Sequence, residues 1–156
     1  MTTTAPLRWL AGQTLSVPVY GVYEGAVRLV NSGARPLRPE LRAAVEPYAT
    51  DVDLDRVRLR EDAHVAAGYS GITFDHTIFV NRRLDPDVRE DVALLIHELV
   101  HVRQAARWGH WGMARRYGVA WVMSLSYRDH PLEVEARRVT AHAMARWDQQ
   151  RSTGAV

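Results

Sequence analysis

The feature that most constrains the fold of this chain is an apolar stripe within Pro86–Trp108. Its apolar residues recur at spacings of four and three: Val88, Val92, Leu95, Leu99, Val102 and Ala106. This spacing places them on one face of an α-helix. Asp85 suits the N-cap, Pro86 suits the first helical position, and Gly109 is typical of a helix end. The sequence therefore predicts a long amphipathic helix whose apolar face lies on a core.

Shorter patterns around this helix predict an α+β fold. Val57 and Leu59 alternate with arginines and indicate a strand, and Ile72–Asn81 is typical of a hairpin that turns at Asp75-His76. Further helices are predicted over Tyr23–Val30, Pro36–Tyr48 (with Leu37, Leu41 and Val45 on one face), Glu61–Ala67, His110–Ser124 and Pro131–Trp147. We expect a small sheet packed on the long helix, followed by two further helices. Residues 1–35 are predicted to be an N-terminal extension and residues 36–150 the domain.

Composition excludes several classes of protein. The 156 residues fit one globular domain, and no apolar run approaches the ~20 residues of a membrane span. Residues 1–8 lack the pattern of a signal peptide, so we expect cytoplasmic synthesis, with export by a non-classical route left open. The net charge of +2 comes from interspersed charges, which argues against nucleic acid as a partner. Because the chain has no cysteine, any metal must be bound by histidines and carboxylates.

The long helix contains an H-E-x-x-H motif at His97-Glu98-Leu99-Val100-His101. Residues four apart lie one turn apart on the same side of a helix, so both imidazoles can reach one zinc ion. Glu98 points about 100° away from His97, where it can hold a zinc-bound water and accept its proton. The motif therefore predicts a zinc-dependent hydrolase of the metallopeptidase type.

The motif alone is weak evidence, because chance gives it in about one or two of a hundred chains of this composition. The alternative is a pair of hydrogen-bonded core histidines. Apolar neighbours surround the motif on both sides: Leu94, Leu95, Ile96, Leu99, Val100 and Val102. Three ionisable groups in such surroundings are costly unless something binds them, which favours zinc.

Catalytic zinc sites use a third protein ligand. Arg107 stands where a metzincin has its third histidine, and His110 is an alternative near the helix end. The favoured ligand is Glu133, because a Glu followed three positions later by a small residue, here Ala136, is the gluzincin pattern. Glu133 also suits helix capping, and Glu135 is either the ligand instead or a supporting residue.

Two further residues, His142 and Tyr127, have both a functional and a structural interpretation. His142 is either a spare ligand or a half-buried structural histidine, and Tyr127 either donates to an oxyanion or packs in the core. His76 is expected to be exposed in the hairpin turn. Thr77–Val80 is the strand expected to lie at the sheet edge and pair with a substrate backbone.

Several segments together resemble a known family. They are Pro36–Arg42, Val57–Leu59, Ile72–Asn81 and the motif helix with Val102-Arg103-Gln104. The resemblance covers roughly residues 36–104 and is to a zinc metallopeptidase core domain found in proteins linked to bacterial extracellular contractile injection systems.

The resemblance implies a gluzincin-like, zincin-like fold with His97, His101 and, less directly, Glu133 as zinc ligands and Glu98 as the catalytic base. It also implies a polypeptide substrate and an association with a secretion or injection apparatus. Related chains often place Asp four residues after the third ligand to orient a zinc histidine, whereas this chain has Arg137. Asp129 or Glu135 is the expected substitute.

Two functions are consistent with this sequence. The first is a zinc-dependent peptidase-like hydrolase. The second is a non-catalytic scaffold or cargo adaptor of an injection system, with zinc as a structural ion. Glu98 distinguishes them, because only the hydrolase needs its carboxylate.

Overall fold

The computed structural model describes residues 18, 20–124 and 129–153, with the backbone alone for residues 118–124. The described elements are α1 (residues 20–30), α2 (Pro39–Val45), a 3₁₀ turn (Glu46–Tyr48), β1 (Arg58–Arg60), β2 (Gly71–Phe74), β3 (Thr77–Val80), α3 (Arg89–Ser124) and α4 (Pro131–Thr153). The fold is α+β, with one three-stranded sheet and four α-helices in this part of the chain. The predicted class is confirmed.

The sheet has the order β1–β3–β2, with β3 parallel to β1 and antiparallel to β2. The predicted hairpin is confirmed, and Asp75 adopts a positive φ of 53° in its turn. The prediction that Thr77–Val80 lies at the sheet edge is wrong, because β3 hydrogen-bonds to a strand on each side. The strand that packs against α3 at an edge is β2.

The main core lies between α2, the sheet and the two long helices. Leu37, Leu41 and Val45 are all buried, which confirms the predicted face, although α2 begins at Pro39 rather than Pro36. The other large buried residues are Leu54, Val57, Leu59, Ile78, Val80, Leu84, Val92, Leu95, Ile96, Leu99, Val102 and Met144. The apolar stripe of the motif helix therefore faces this core from Val92 to Val102, while Val88 and Ala106 are exposed.

The predicted helix over Glu61–Ala67 is absent from the structure. Asp62 has a positive φ of 52°, and the Ala63 N–H donates to the Val80 carbonyl at 2.8 Å. The Glu61 carboxylate accepts the Leu84 N–H at 2.7 Å. These long-range hydrogen bonds hold the segment against the end of β3 and replace the local bonds that a helix would need.

Helix α3 is long but broken. It begins at Arg89 rather than Pro86, because the preceding residues form a turn in which the Val88 N–H donates to the Asp85 carbonyl at 3.2 Å. Gly109 has φ 68° and ψ 168°, which is outside helical geometry and readily adopted only by glycine. The helix therefore changes direction at Gly109, and its second part runs from residue 110 to residue 124, as predicted for His110–Ser124.

The described part of the predicted N-terminal extension packs on the sheet. Val27 of α1 joins a second core cluster with Ala63, Phe74 and Phe79. Arg35 forms an isolated antiparallel bridge with Leu59. The boundary between residues 35 and 36 stays a prediction, and residues 1–17 and 19 lie outside the described residues.

Among the described residues, no helix is long and apolar enough to cross a membrane.

Candidate metal centre

The structure brings His97 and His101 of α3 together with Glu133 of α4. The two Nε2 atoms are 3.2 Å apart. His97 Nε2 lies 3.3 Å from Glu133 Oε2, and His101 Nε2 lies 3.3 Å from Glu133 Oε1. The side chains of Glu133 and His101 are 1% and 5% exposed, whereas that of His97 is 20% exposed. The cluster is therefore buried and reaches solvent mainly through His97.

Helix α4 is held close enough to α3 for Glu133 to reach the histidines. Ala136 is fully buried, so this turn of α4 has no bulky side chain to keep the helices apart. Leu132 is buried with Ala105 and Met113 of α3. The Leu132 N–H donates to His130 Nδ1 at 3.1 Å, so His130 rather than Glu133 provides a side-chain acceptor at the start of the helix.

The distances within the cluster fit a tetrahedral zinc ion. Zinc bonds to imidazole nitrogen and carboxylate oxygen of about 2.0–2.1 Å place neighbouring ligand atoms about 3.3 Å apart. The two Nε2 atoms match this separation at 3.2 Å, and each lies 3.3 Å from a different oxygen of the Glu133 carboxylate. Two imidazoles and one carboxylate are also the donor set of a gluzincin-type catalytic zinc. Without a metal, the same contacts require protons shared among the three side chains.

Gln104 fixes the orientation of His101. The Gln104 amide nitrogen donates to the Leu132 carbonyl at 3.1 Å and to Glu135 Oε2 at 3.0 Å. Its amide oxygen therefore faces His101 Nδ1, at 2.8 Å, and must accept the ring N–H. In the neutral form of the ring, which is the form that binds a metal, the hydrogen then lies on Nδ1 and the Nε2 lone pair is directed at the cluster.

Glu135 supports the site indirectly, as one of the sequence interpretations expects. It lies 2.9 Å from Arg103 in an ion pair and accepts from Gln104. Asp129, the other expected substitute for the orienting carboxylate, is exposed. Gln104, which Glu135 holds in turn, is thus the residue that orients His101.

Tyr117 contacts the cluster from the second part of α3. Its hydroxyl donates to Glu133 Oε1 at 3.1 Å and lies 3.4 Å from His101 Nδ1. Its ring stacks on His130 at a centroid distance of 4.4 Å. The change of direction at Gly109 makes this contact possible, because Tyr117 would otherwise continue along the axis away from His101.

Glu98 lies between α3 and the sheet and is 4% exposed. Thr73 Oγ1 of β2 donates to Glu98 Oε2 at 2.7 Å. Burial raises the pKa of the Glu98 carboxyl, and the nearby charges of His101 and His97 act in the opposite direction. A raised pKa makes the carboxylate a stronger base when it is ionised.

The pKa values of two histidines also shift. Burial acts to lower the pKa of His101, but its hydrogen bond with Glu133 and the charge of Glu98 outweigh burial and raise it. Burial lowers the pKa of His130, which favours the neutral ring that accepts the Leu132 N–H.

The remaining sequence candidates lie elsewhere. His142 is exposed on α4, so the prediction of a half-buried structural histidine is wrong. His76 is half-buried rather than exposed. The side chain of Tyr127 lies outside the described residues. His110 is separate from the zinc candidates and belongs to a second cluster with Glu24 and Asp75.

This second cluster has the geometry of an ion-pair bridge. His110 Nε2 lies 3.3 Å from Glu24 Oε2, and Nδ1 lies 3.4 Å from Asp75 Oδ1. The two ring nitrogens point in different directions, so they cannot both be directed at one ion. Arg28 also pairs with Glu24, at 2.7 Å. The cluster ties α1 and the hairpin turn to the second part of α3.

Sequence reasoning did not assign Gln104, Tyr117 or Thr73 to the site. Gln104 follows His101 by three residues, on the same side of the helix, and that spacing was a usable signal. Thr73 lies in the predicted hairpin, but its contact with Glu98 joins two separate elements and has no local signal. No local signal connects Tyr117 to the cluster, because its contact depends on the fold.

The site and the fold together define an α+β domain with a buried histidine–carboxylate centre. Residues 36–109, just under half of the chain, match the family model of the eCIS core domain, named for the extracellular contractile injection system. The matched segment contains His97, Glu98, His101 and Gln104 but ends before Tyr117 and Glu133. No curated protein matches the chain, and neither does any solved structure.

Proposed function

We propose that this protein is a zinc-dependent, peptidase-like hydrolase that works with an extracellular contractile injection system. The convergence of two imidazole nitrogens and a carboxylate at 3.2–3.3 Å carries the hydrolase part of the proposal. The match of residues 36–109 to the eCIS core domain supports the association with the apparatus. In this proposal the protein is synthesised in the cytoplasm and is exported by a non-classical route through that apparatus.

In this proposal His97, His101 and Glu133 hold the metal. A zinc ion in such a site supplies Lewis acidity and lowers the pKa of a coordinated water. Gln104 keeps the His101 lone pair directed at the centre, and Tyr117 fixes one oxygen of Glu133. The 20% exposed side of His97 is where a substrate would approach.

Glu98 is the general base of the proposed reaction. Thr73 holds one carboxylate oxygen, so the side chain of Glu98 is already in position before the reaction. Its buried surroundings raise its proton affinity, which suits a group that takes a proton from water and passes it to a leaving amine. With three metal ligands (His97, His101 and Glu133) and Glu98 as the base, the proposed site is zincin-like.

A polypeptide is the proposed substrate. Within the described residues, β2 pairs only with β3, and it packs against α3 beside Glu98. The other edge of β2 therefore offers backbone groups to an extended chain, as in recognition by strand addition. This assignment replaces the strand Thr77–Val80 that the sequence favoured.

Metal analysis and one substitution test the proposal. Purified protein should contain near-stoichiometric zinc, and Glu98→Gln should keep zinc affinity within about tenfold while lowering hydrolysis of unfolded casein by on the order of 10²-fold or more. Glu90→Gln, on the exposed first turn of α3, is the matched control and should leave both unchanged. Absence of zinc from the purified protein, or turnover that survives Glu98→Gln, would contradict the proposal.

A second candidate function is a non-catalytic adaptor or scaffold in which zinc is structural. The near-complete burial of His101 and Glu133 favours it, because a structural ion is usually enclosed by its ligands. In that case zinc removal would lower the melting temperature, while the zinc-loaded protein would hydrolyse no polypeptide. Glu98→Gln would then change neither assembly nor binding to the apparatus.

A further inference from the structure

The Glu98 carboxylate lies against the backbone of Gly71. A Cβ atom at Gly71 would stand 2.6 Å from Glu98 Oε1, 3.0 Å from Cδ and 3.2 Å from Cγ. Real Cβ atoms do not approach other atoms this closely, so either the carboxylate or the strand would have to move. Glycine is therefore needed here if Glu98 is to keep its position.

The need for glycine at this position is a matter of space. Gly33, Gly68 and Gly109 have positive φ angles, whereas Gly71 lies in β2 without one. Its backbone conformation is open to any residue. The three heavy atoms nearest to a Cβ at Gly71 all belong to the Glu98 side chain.

Thr73 acts on the other oxygen of the same carboxylate. It lies two residues after Gly71, on the same face of β2, and donates its hydroxyl to Glu98 Oε2 at 2.7 Å. Glu98 is 4% exposed, so it has little room for a different rotamer. One oxygen is thus confined by the glycine and the other is held by the hydroxyl.

We propose that Gly71 and Thr73 are positioning residues for Glu98, the first by leaving the space that its carboxylate occupies and the second by holding it there. The effect of this packing on hydrolysis rests on the proposed function. The packing itself does not, and it can be measured in metal-free protein.

A double-mutant cycle tests the packing. Gly71→Ala should lower the folding equilibrium constant by about tenfold, which is typical of overpacking, as measured by urea unfolding of the metal-free protein. In the Glu98→Ala background the obstructing carboxylate is gone, so Gly71→Ala should cost less than half as much on a logarithmic scale. Equal costs in both backgrounds would overturn the proposal.

Gly25→Ala is the matched control for the added methyl group. Among the described residues, nothing lies within 4 Å of a Cβ at Gly25 of α1. This variant should unfold at the same or higher urea concentration than the unmodified protein, with no coupling to Glu98→Ala. A coupling as large as that of Gly71→Ala would mean that the cycle does not report the contact.

Thr73 provides the second arm, which remains informative if Gly71→Ala does not fold. Thr73→Val removes the hydroxyl and should lower the turnover number by tenfold or more, with KM changed less than threefold and zinc content unchanged. Thr73→Ser keeps the hydroxyl and should restore most of the activity. Equal turnover in the valine and serine variants would overturn the role of the hydroxyl.

The outcomes separate this inference from the proposed function. If the unmodified protein hydrolyses nothing, the proposed function fails, and the same cycle with Thr73→Val in place of Gly71→Ala still measures the contact with Glu98. If hydrolysis is observed but neither Gly71 nor Thr73 couples to Glu98, the inference fails and the function stands.

Discussion

Residues 36–109 and residues 110–153 contribute to the candidate centre in different ways. In the first region, His97, Glu98 and His101 are neighbours on one helix, so their relative positions follow from helical geometry. In the second region, Tyr117 and Glu133 come from two helical segments and meet the histidines only through packing. The motif in the first region can be predicted from the local sequence. The contacts of the second region with the histidines depend on the whole fold.

Gln104 joins the two regions. It belongs to the first, but its amide bonds the Leu132 carbonyl and Glu135 of α4. The orientation of His101 therefore depends on where α4 lies. We therefore expect substitutions in the second region to lower zinc affinity by graded amounts. Loss of a histidine should abolish zinc binding.

The largest expected effect is that of His101→Ala in the first region. The variant should lose bound zinc, and addition of a chelator should no longer lower its melting temperature, because a ligand that binds only the folded state stabilises it by mass action. Metal analysis and thermal unfolding with and without chelator measure both. His142→Ala, on the exposed side of α4, should behave like the unmodified protein. Full zinc content in His101→Ala would disprove the role of this histidine.

Glu133→Ala tests whether the second region supplies a ligand. Zinc affinity, measured by competition with a chromogenic chelator, should fall by more than the ~10–100-fold typical of an outer-shell residue. Glu135→Ala is the matched comparison, since it lies two residues away and contacts Arg103 and Gln104 instead. Its effect should be ~10-fold or less. The reverse order of the two effects would make Glu135 the ligand.

Gln104→Leu breaks the link between the regions while keeping the volume of the side chain close to that of glutamine. Zinc affinity should fall by ~10–100-fold, because His101 loses the acceptor that fixes its hydrogen on Nδ1. Gln104→Glu keeps an acceptor for that hydrogen but loses the donor to the Leu132 carbonyl and Glu135, so its zinc affinity should fall as well. Equal affinities for the leucine variant and the unmodified protein would contradict the positioning role.

Tyr117→Phe should have the smallest effect. It removes one hydrogen bond to Glu133, a loss of about 1 kcal/mol or roughly fivefold to tenfold in zinc affinity. The ring that stacks on His130 is kept, so thermal stability of the metal-free protein should change little. A loss as large as that of Glu133→Ala would mean that the hydroxyl does more than hold the carboxylate.

The sequence by itself determined the periodic elements. Apolar spacing predicted α2 and the first part of α3, and alternation predicted β1, because side-chain period is a direct property of helix and strand geometry. A proline in the first turn marked α4, and β-branched and aromatic residues marked the hairpin. The helical spacing also placed His97 and His101 side by side. The small residue Ala136, three positions after Glu133, was the reason for choosing Glu133 as the ligand. In the structure Ala136 is fully buried, and α4 approaches α3 closely there.

Only the tertiary structure decided the order of the strands and the surroundings of the motif. The segment Glu61–Ala67 is held by hydrogen bonds to β3 and Leu84 rather than by local ones. Strand β3 is central because β1 pairs with it in parallel, across a long connection in the chain. The same is true of the space that Gly71 leaves for Glu98 and of the approach of Tyr117 to Glu133. These contacts join residues far apart in the chain and arise only when packing brings separate elements together. The periodicity of the sequence therefore does not predict them.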